Sequence, residues 1–208
     1  MRPYKTGWVC RVGIKGKLPV KDMNRTRRTG RRPNSREAIL DAAESVVADV
    51  GASHMTLDAV SAKAGVSKGG LLYHFPSKQA LLRGMVERLI GNFAAARERE
   101  AAGLPEGPSR SLKAHVLSWS PRNRRREKLM AALIAAAAHD PHLLKPATEA
   151  YRKAFGEFIA GGLRPERAAV ITMAVDGLSI LQLLGMFPFD ADQRKSIIEE
   201  LLRLADEV

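Results

Sequence analysis

The 208-residue chain reads as all-α, with a small three-helix helix-turn-helix domain followed by a larger helical domain. Three observations predict this. Apolar residues recur at helical spacing along most of the chain. β-branched alternation is nearly absent, and there is no Asn-Gly hairpin signal. Helix formers such as Ala, Leu, Glu and Arg dominate a composition that is 45% hydrophobic. Caps, glycine stops and prolines divide the chain into a basic tail at 1–33, a first domain at 34–80 and a second at 81–208. The single cysteine, Cys10, excludes an internal disulfide and fits a reducing compartment. No apolar run reaches the ~18 residues of a membrane span, so a soluble, cytoplasmic protein is expected.

The net charge of +12 is concentrated at one end, because the residues up to Pro33 hold eleven Lys and Arg and a single acid, Asp22. Such a block reads either as a disordered, solvating tail or as an arm that lays its arginines on phosphates or in a minor groove. Arg27, Arg28, Arg31 and Arg32 are the candidate contacts. Residues 1–22 carry Trp8 and Cys10 without periodicity. They lack the apolar core of a signal peptide.

The first helix is expected over Ser35–Val50. Asn34 and Glu37 stand at capping-box spacing, and Ile39, Ala43, Val46, Val47 and Val50 form its buried stripe. Gly51 ends it, and His54 lies in a surface loop. Thr56 is placed to cap a second helix whose Leu57, Val60 and Ala64 share one face. Gly65 supplies the left-handed stop, Val66 turns back into the core, and Ser67 caps a third helix over Lys68–Phe75. Helix, glycine turn and capped helix is the plan of a helix-turn-helix, whose second helix enters the DNA major groove.

The third helix is odd for a core element. Gly69 and Gly70 each cost roughly 1 kcal/mol in a helix interior relative to alanine, tolerable where the backbone must closely approach another surface. Lys68, Tyr73, His74 and Lys78 carry tips that reach phosphates or base edges. A solvated surface helix with a strained start is the alternative.

The run GVSKGGLLYHFPSK resembles the recognition helix and following turn of the tetracycline-repressor (TetR) family of bacterial transcription regulators. The matching positions are Ala64-Gly65-Val66, Ser67-Lys68, Tyr73-His74-Phe75 and Lys78, and the likeness covers about 36–82. Ser61 stands where an alanine is usual, and Leu72 where an aromatic is common. The resemblance implies Thr56, Ser67, Lys68, Gly69, Gly70, Leu72, Tyr73, His74 and Lys78 as the DNA-binding set. It also implies a dimer on an inverted-repeat operator of double-stranded DNA, and a small-molecule effector in the second domain.

A fourth helix, capped by Ser77, runs to about Ala102 with Leu81, Leu82, Met85, Val86, Leu89, Ile90 and Phe93 in helical period. At ~1.5 Å per residue it spans about 35–40 Å and joins the two domains, so its tilt must move the third helix. Five further helices are expected over Ser109–Ser118, Arg122–His139, Leu143–Ala160, Pro165–Gly185 and Ala191–Glu207, the last capped by Asp190. The helix over Pro165–Gly185 is apolar nearly all round and needs burial on several sides. The resemblance implies a homodimer through the last two helices; a wholly intramolecular core is the alternative.

Trp119, Met130, Phe155, Phe158, Met173 and Asp176 are the candidate pocket residues, although Leu133, Met186 and the apolar members of that set equally describe a packed core. Asp176 and Gln182 sit in an apolar helix and need buried partners. The Arg122–Arg126 run reads as a solvated helix start, with an anion site or an extra DNA contact as alternatives. His139, Asp140 and His142 read as a capped helix junction, and neither metal nor cofactor is implied. Phosphate-binding glycine loops, nucleophile elbows and metal-binding His-Glu patterns are missing, which argues against an enzyme with an apolar pocket. A less selective DNA-binding protein driven by the tail is the remaining alternative, and a steep salt dependence on any sequence would mark it.

Overall fold

The computed structural model describes residues 35–119 and 124–207, and the described elements are all helical. They are α1 Ser35–Val50, α2 Leu57–Ala64, α3 Lys68–His74, α4 Lys78–Ala102, α5 Arg110–Leu117, α6 Arg124–His139, a 3₁₀ turn Pro141–Leu144, α7 Lys145–Ile159, α8 Pro165–Leu183 and α9 Ala191–Asp206. The Asn34 cap and Arg27, Arg28, Arg31 and Arg32 lie outside the described residues. No described helix is long and apolar enough to cross a membrane.

Local signals position the helices. Thr56, Ser67, Ser77 and Asp190 each accept a hydrogen bond from the backbone N–H three residues on, and Asp190 with Gln193 closes a full capping box. Gly65 sits at φ 67°, so the chain can turn left-handed between α2 and α3 without a Cβ clash. Gly185 at φ 70° stops α8 at Leu183, two residues before the expected end. A second departure lies at the α6–α7 junction. Leu143 begins no α-helix there, because Pro141 starts a 3₁₀ turn in which the Asp140 carboxylate accepts from the His142 N–H at 3.1 Å. Pro146 then occupies the first turn of α7.

Two hydrophobic clusters make up the interior. The first joins Ile39, Leu40 and Val47 of α1 to Val60, Leu71, Phe75, Leu81 and Met85, and extends to Leu129, Leu133 and Ala137 of α6. The second joins Leu112 and Val116 of α5 to Phe158, Ile171, Val175 and Leu201. The α1–α3 unit therefore rests on α6 as well as on α4. Val50, expected in the α1 stripe, is 51% exposed, since the helix ends before that turn reaches a neighbour. Ser61 is buried and donates to the Asp58 carbonyl at 3.0 Å, which satisfies its hydroxyl inside the core.

Polar ties brace these clusters. Arg88 of α4 faces Glu37, Asp41 and Glu44 of α1. Burial works against its charge, but the three carboxylates outweigh that and raise its pKa. The Arg110 guanidinium caps the end of α4, donating twice to the Ala101 carbonyl at 3.0 and 2.9 Å.

Two close approaches depend on glycine. A Cβ on Gly84 would stand 2.7 Å from the Phe75 ring, so α4 can cover the end of α3 only with hydrogen at that position. A Cβ on Gly161 would meet the Pro108 carbonyl oxygen at 2.4 Å and its Cα at 2.7 Å. Backbone cannot swing aside as a side chain can. Gly161→Ala should therefore cost about 1–3 kcal/mol in urea unfolding; an unchanged midpoint would mean that the two loops separate freely.

Candidate functional sites: an outward-facing short helix and a cavity between helices

The helix α3 buries one side and presents the other. Leu71 at 0% and Phe75 at 3% exposure anchor it, while Tyr73 is 85% exposed. Leu72, Lys68 and Gly69 also face solvent, and Gly70 and His74 are half-buried. The Tyr73 and His74 rings meet edge to face at 5.2 Å. A Cβ on Gly69 would meet nothing within 4 Å, so its place in the helix is open ground rather than a packing requirement. On Gly70 a Cβ would touch the Ser67 hydroxyl at 3.3 Å, the group that caps the helix.

Four of the nine candidate DNA-binding residues already have work inside the chain. The hydroxyls of Thr56 and Ser67 are helix caps, each accepting at 3.1 Å. Lys68 pairs with Asp58 of α2 at 2.9 Å, and the Lys78 ammonium donates to the Ser53 carbonyl at 2.7 Å. Lys78 thus ties the α1–α2 loop to the start of α4. Each lysine retains further N–H donors, so these contacts do not preclude phosphate binding.

Below this unit, α4, α5, α6, α7 and α8 line a cavity of about 860 Å³ that opens to solvent past Phe93, Ile134, Leu144 and Tyr151. Trp119, Met130, Phe158 and Asp176 line it, as do Leu133 and Gln182. Phe155 and Met173 do not. Phe155 packs into the second cluster, and Met173 is 57% exposed on the outer face of α8. A period of 3.6 marks which residues share a face but leaves open which face looks inward. Met186, at 63% exposure, also lies outside the cavity.

The polar chemistry of the cavity is richer than the sequence disclosed. The Tyr151 hydroxyl donates to Asp176 Oδ2 at 2.9 Å, and the other carboxylate oxygen lies 3.9 Å from His115 Nε2. Burial, and then the Asp176 hydrogen bond, push the Tyr151 phenol up to about 12. Burial holds the His115 imidazole below its ordinary value, against the pull of Asp176 and with help from Arg97. At one end Arg194 of α9 stacks 4.0 Å from the Trp119 ring centroid and donates to the Trp119 carbonyl and to Gln182 Oε1. Gln182 in turn donates to Glu127 at 3.0 Å. Its expected buried partners are therefore Glu127 and Arg194.

Arg97 of α4 and Arg126 of α6 also line the cavity, over Phe158 at 5.8 Å and Phe93 at 5.5 Å. Sequence reasoning passed over Arg97, His115 and Tyr151, because single polar residues on amphipathic helices look like ordinary solvated positions. Arg126 corrects the reading of its run as a solvated start: it is half-buried and its guanidinium covers an aromatic ring. Arg122 lies outside the described residues.

An outward-facing short helix behind a left-handed glycine turn, carried on a helical body with a large cavity, defines a helix-turn-helix regulator with a ligand-binding domain. The chain belongs to the TetR family. Residues 39–85 match the model for bacterial regulatory proteins of the tetR family, and 109–206 match the tetracyclin repressor-like C-terminal domain. The nucleoid occlusion factor SlmA of Aliivibrio fischeri is 40% identical over 60 residues, 28% of this chain and 31% of that protein, so this match spans under a third of its length. The HTH-type transcriptional regulator BetI of Serratia proteamaculans is 27% identical over 74% of this chain and 80% of its own. The multidrug binding protein EbrR, solved with malachite green, has a TM-score of 0.65 at 25% identity, covering 83% of this chain and 98% of EbrR. A transcriptional-regulator structure from Streptomyces coelicolor reaches a TM-score of 0.67 at 23% identity, covering 84% and 99%, a likeness of fold.

Proposed function

We propose that this protein is a ligand-responsive repressor that binds an inverted-repeat operator as a homodimer, with residues 34–80 reading DNA and 81–208 sensing the effector. The observation that carries this reading is that one helix serves both sites. Helix α4 begins three residues after Phe75 of α3, and its Val86, Leu89, Ile90, Phe93 and Arg97 line the cavity. A ligand that fits the cavity better in one tilt of α4 shifts the population toward that tilt, and with it the placing of α3. Arg88 transmits the movement to α1 through its three carboxylates.

The dimer rests on α8 and α9. Val170 and Met173 of α8 and Leu184 just beyond it are 66, 57 and 62% exposed, apolar surface that a second copy would bury. Two α3 helices related by a two-fold axis then address two half-sites. EbrR supports the sensing role as a relative that binds small molecules in the same fold. The basic tail, with Arg27, Arg28, Arg31 and Arg32, adds phosphate or minor-groove contacts.

The test is salt-titrated binding to the DNA upstream of the protein's own gene against scrambled DNA. Selectivity that survives moderate salt is expected, and equal binding to both would favour tail-driven, non-selective association. Tyr73→Ala should weaken operator binding by about tenfold with thermal stability unchanged, since the ring is exposed. Lys78→Ala should weaken it too, while also loosening the α1–α2 loop. Unchanged affinity of Tyr73→Ala would remove that ring from the interface.

A further inference from the structure

The cavity has a charge pattern that selects among ligands. Two of its aromatic faces already carry cations from the lining: Arg97 lies over Phe158 and Arg126 over Phe93. A cationic ligand seeking the Phe158 or Phe93 face would meet one of the protein's own guanidiniums there, and like charges repel. Four carboxylates also line the cavity, and three are engaged: Asp176 accepts from the Tyr151 hydroxyl and faces His115, Glu127 accepts from Gln182, and Glu157 pairs with Lys153, while Glu98 is exposed to solvent.

The unmet hydrogen-bonding capacity is on the donor side. Trp119 is 92% buried by its 8% exposure, yet its indole N–H, which can only donate, has no partner. His115 Nε2 is also buried without a hydrogen bond, and it donates or accepts according to the tautomer of the ring. Arg97, half-buried, has no carboxylate within ion-pair distance among the described residues. Phe93 and Arg97 lie one turn apart on the same face of α4, and Arg126 of α6 covers the Phe93 ring, so this part of the wall carries positive charge from two helices. Around them the lining is mostly apolar: Leu89, Ile90, Met130, Leu133 and Val175.

We propose that the effector of this protein is an amphipathic organic anion, an apolar body seated against Phe93, Trp119 and Phe158 whose carboxylate is held by Arg97. A guanidinium matches a carboxylate in geometry as well as charge, and the unpartnered indole N–H adds a donor for a ligand oxygen. This rests on the reading of the cavity as the effector site.

Three fluorescent probes of one shape separate the two ideas: pyrenebutyrate, pyrenebutanol and pyrenebutylamine, titrated at neutral pH into the full-length protein. Pyrenebutyrate should bind about tenfold more tightly than the alcohol, and the amine most weakly. Arg97→Met should bring the acid down to the level of the alcohol while leaving the alcohol unchanged, and Arg97→Lys should keep most of the preference. Trp119→Phe, which keeps a ring and loses the N–H, should weaken the acid about fivefold. Circular dichroism melts establish that each variant is folded, and Arg97→Gln, which also removes the charge and should likewise abolish the acid preference, decides the matter if Arg97→Met fails to fold. Alcohol or amine binding as tightly as the acid, or an acid preference that survives Arg97→Met, overturns the anion proposal while leaving the cavity as a ligand site. Failure of all three probes to bind overturns the cavity reading itself.

Discussion

Gly69→Glu should abolish operator binding while leaving the protein as stable as before, or slightly more so. A Cβ at this position meets nothing within 4 Å, so the longer side chain needs no room made for it. Replacing glycine in a helix also relieves a local cost of roughly 1 kcal/mol relative to alanine. The proposed interface reacts differently. A bulky anion would then stand where the α3 backbone approaches phosphate, and like-charge juxtaposition at an interface costs several kcal/mol. Both half-sites of a dimer carry the change, so a loss of at least about 100-fold is expected. Binding curves on the operator, paired with thermal melts, check the two halves of the prediction. Operator affinity within a few-fold of the parent would place the DNA-reading surface elsewhere than on α3.

Phe75→Ala acts on the opposite side of the same helix and should be the most damaging single truncation in the small domain. The ring is 3% exposed, lies against Gly84 of α4 and has the Arg36 guanidinium 5.3 Å from its centroid. Removing a buried phenyl group typically costs about 3–5 kcal/mol, the lost transfer energy plus the cavity left behind. Against a total stability of roughly 5–15 kcal/mol, that is enough to leave a large unfolded fraction at moderate urea. It also frees the end of α3 from α4, so operator affinity should fall even where the protein remains folded. Urea unfolding at matched protein concentration measures the first effect; a loss below about 1 kcal/mol would mean that α3 is anchored by Leu71 alone.

These variants divide α3 into a face that the fold needs and a face that it leaves free. The division bears on engineering as well as on testing. Changes at Gly69, Leu72 and Tyr73 carry little structural cost and would alter the proposed DNA contacts, whereas Leu71, Phe75 and Gly84 leave almost no latitude. The same economy holds in the cavity, where Trp119 and Phe158 both close the second core and face the space inside. Arg97 and Met130 line the cavity without being buried core residues, so the proposed effector specificity is better altered there.

Much of the fold was legible because its signals are local. A threonine or serine before an apolar period, a glycine after it and a proline at a first turn act within four residues of chain, so α2, α3, α4 and α9 could be read from the amino acids alone. The 3₁₀ turn at Pro141 was missed because its cap competes with an equally plausible helix start, and the Asp140 carboxylate decides between them. The family likeness in GVSKGGLLYHFPSK was legible for the same reason: the motif is a contiguous turn and helix.

What the sequence by itself determined, then, was the helical class, the helix-turn-helix and the length of α4. What only the tertiary structure decided was how helices distant in the chain meet. Helical period places Met173 and Asp176 on one helix but cannot say that Asp176 turns toward Tyr151 and His115 while Met173 faces out. Nor does it indicate that α6 supports α1, or that Arg97, Arg126 and Arg194 each come to rest on an aromatic ring. Those outcomes depend on the packing of whole helix faces, in which the burial of many apolar groups outweighs the preference of any single polar one.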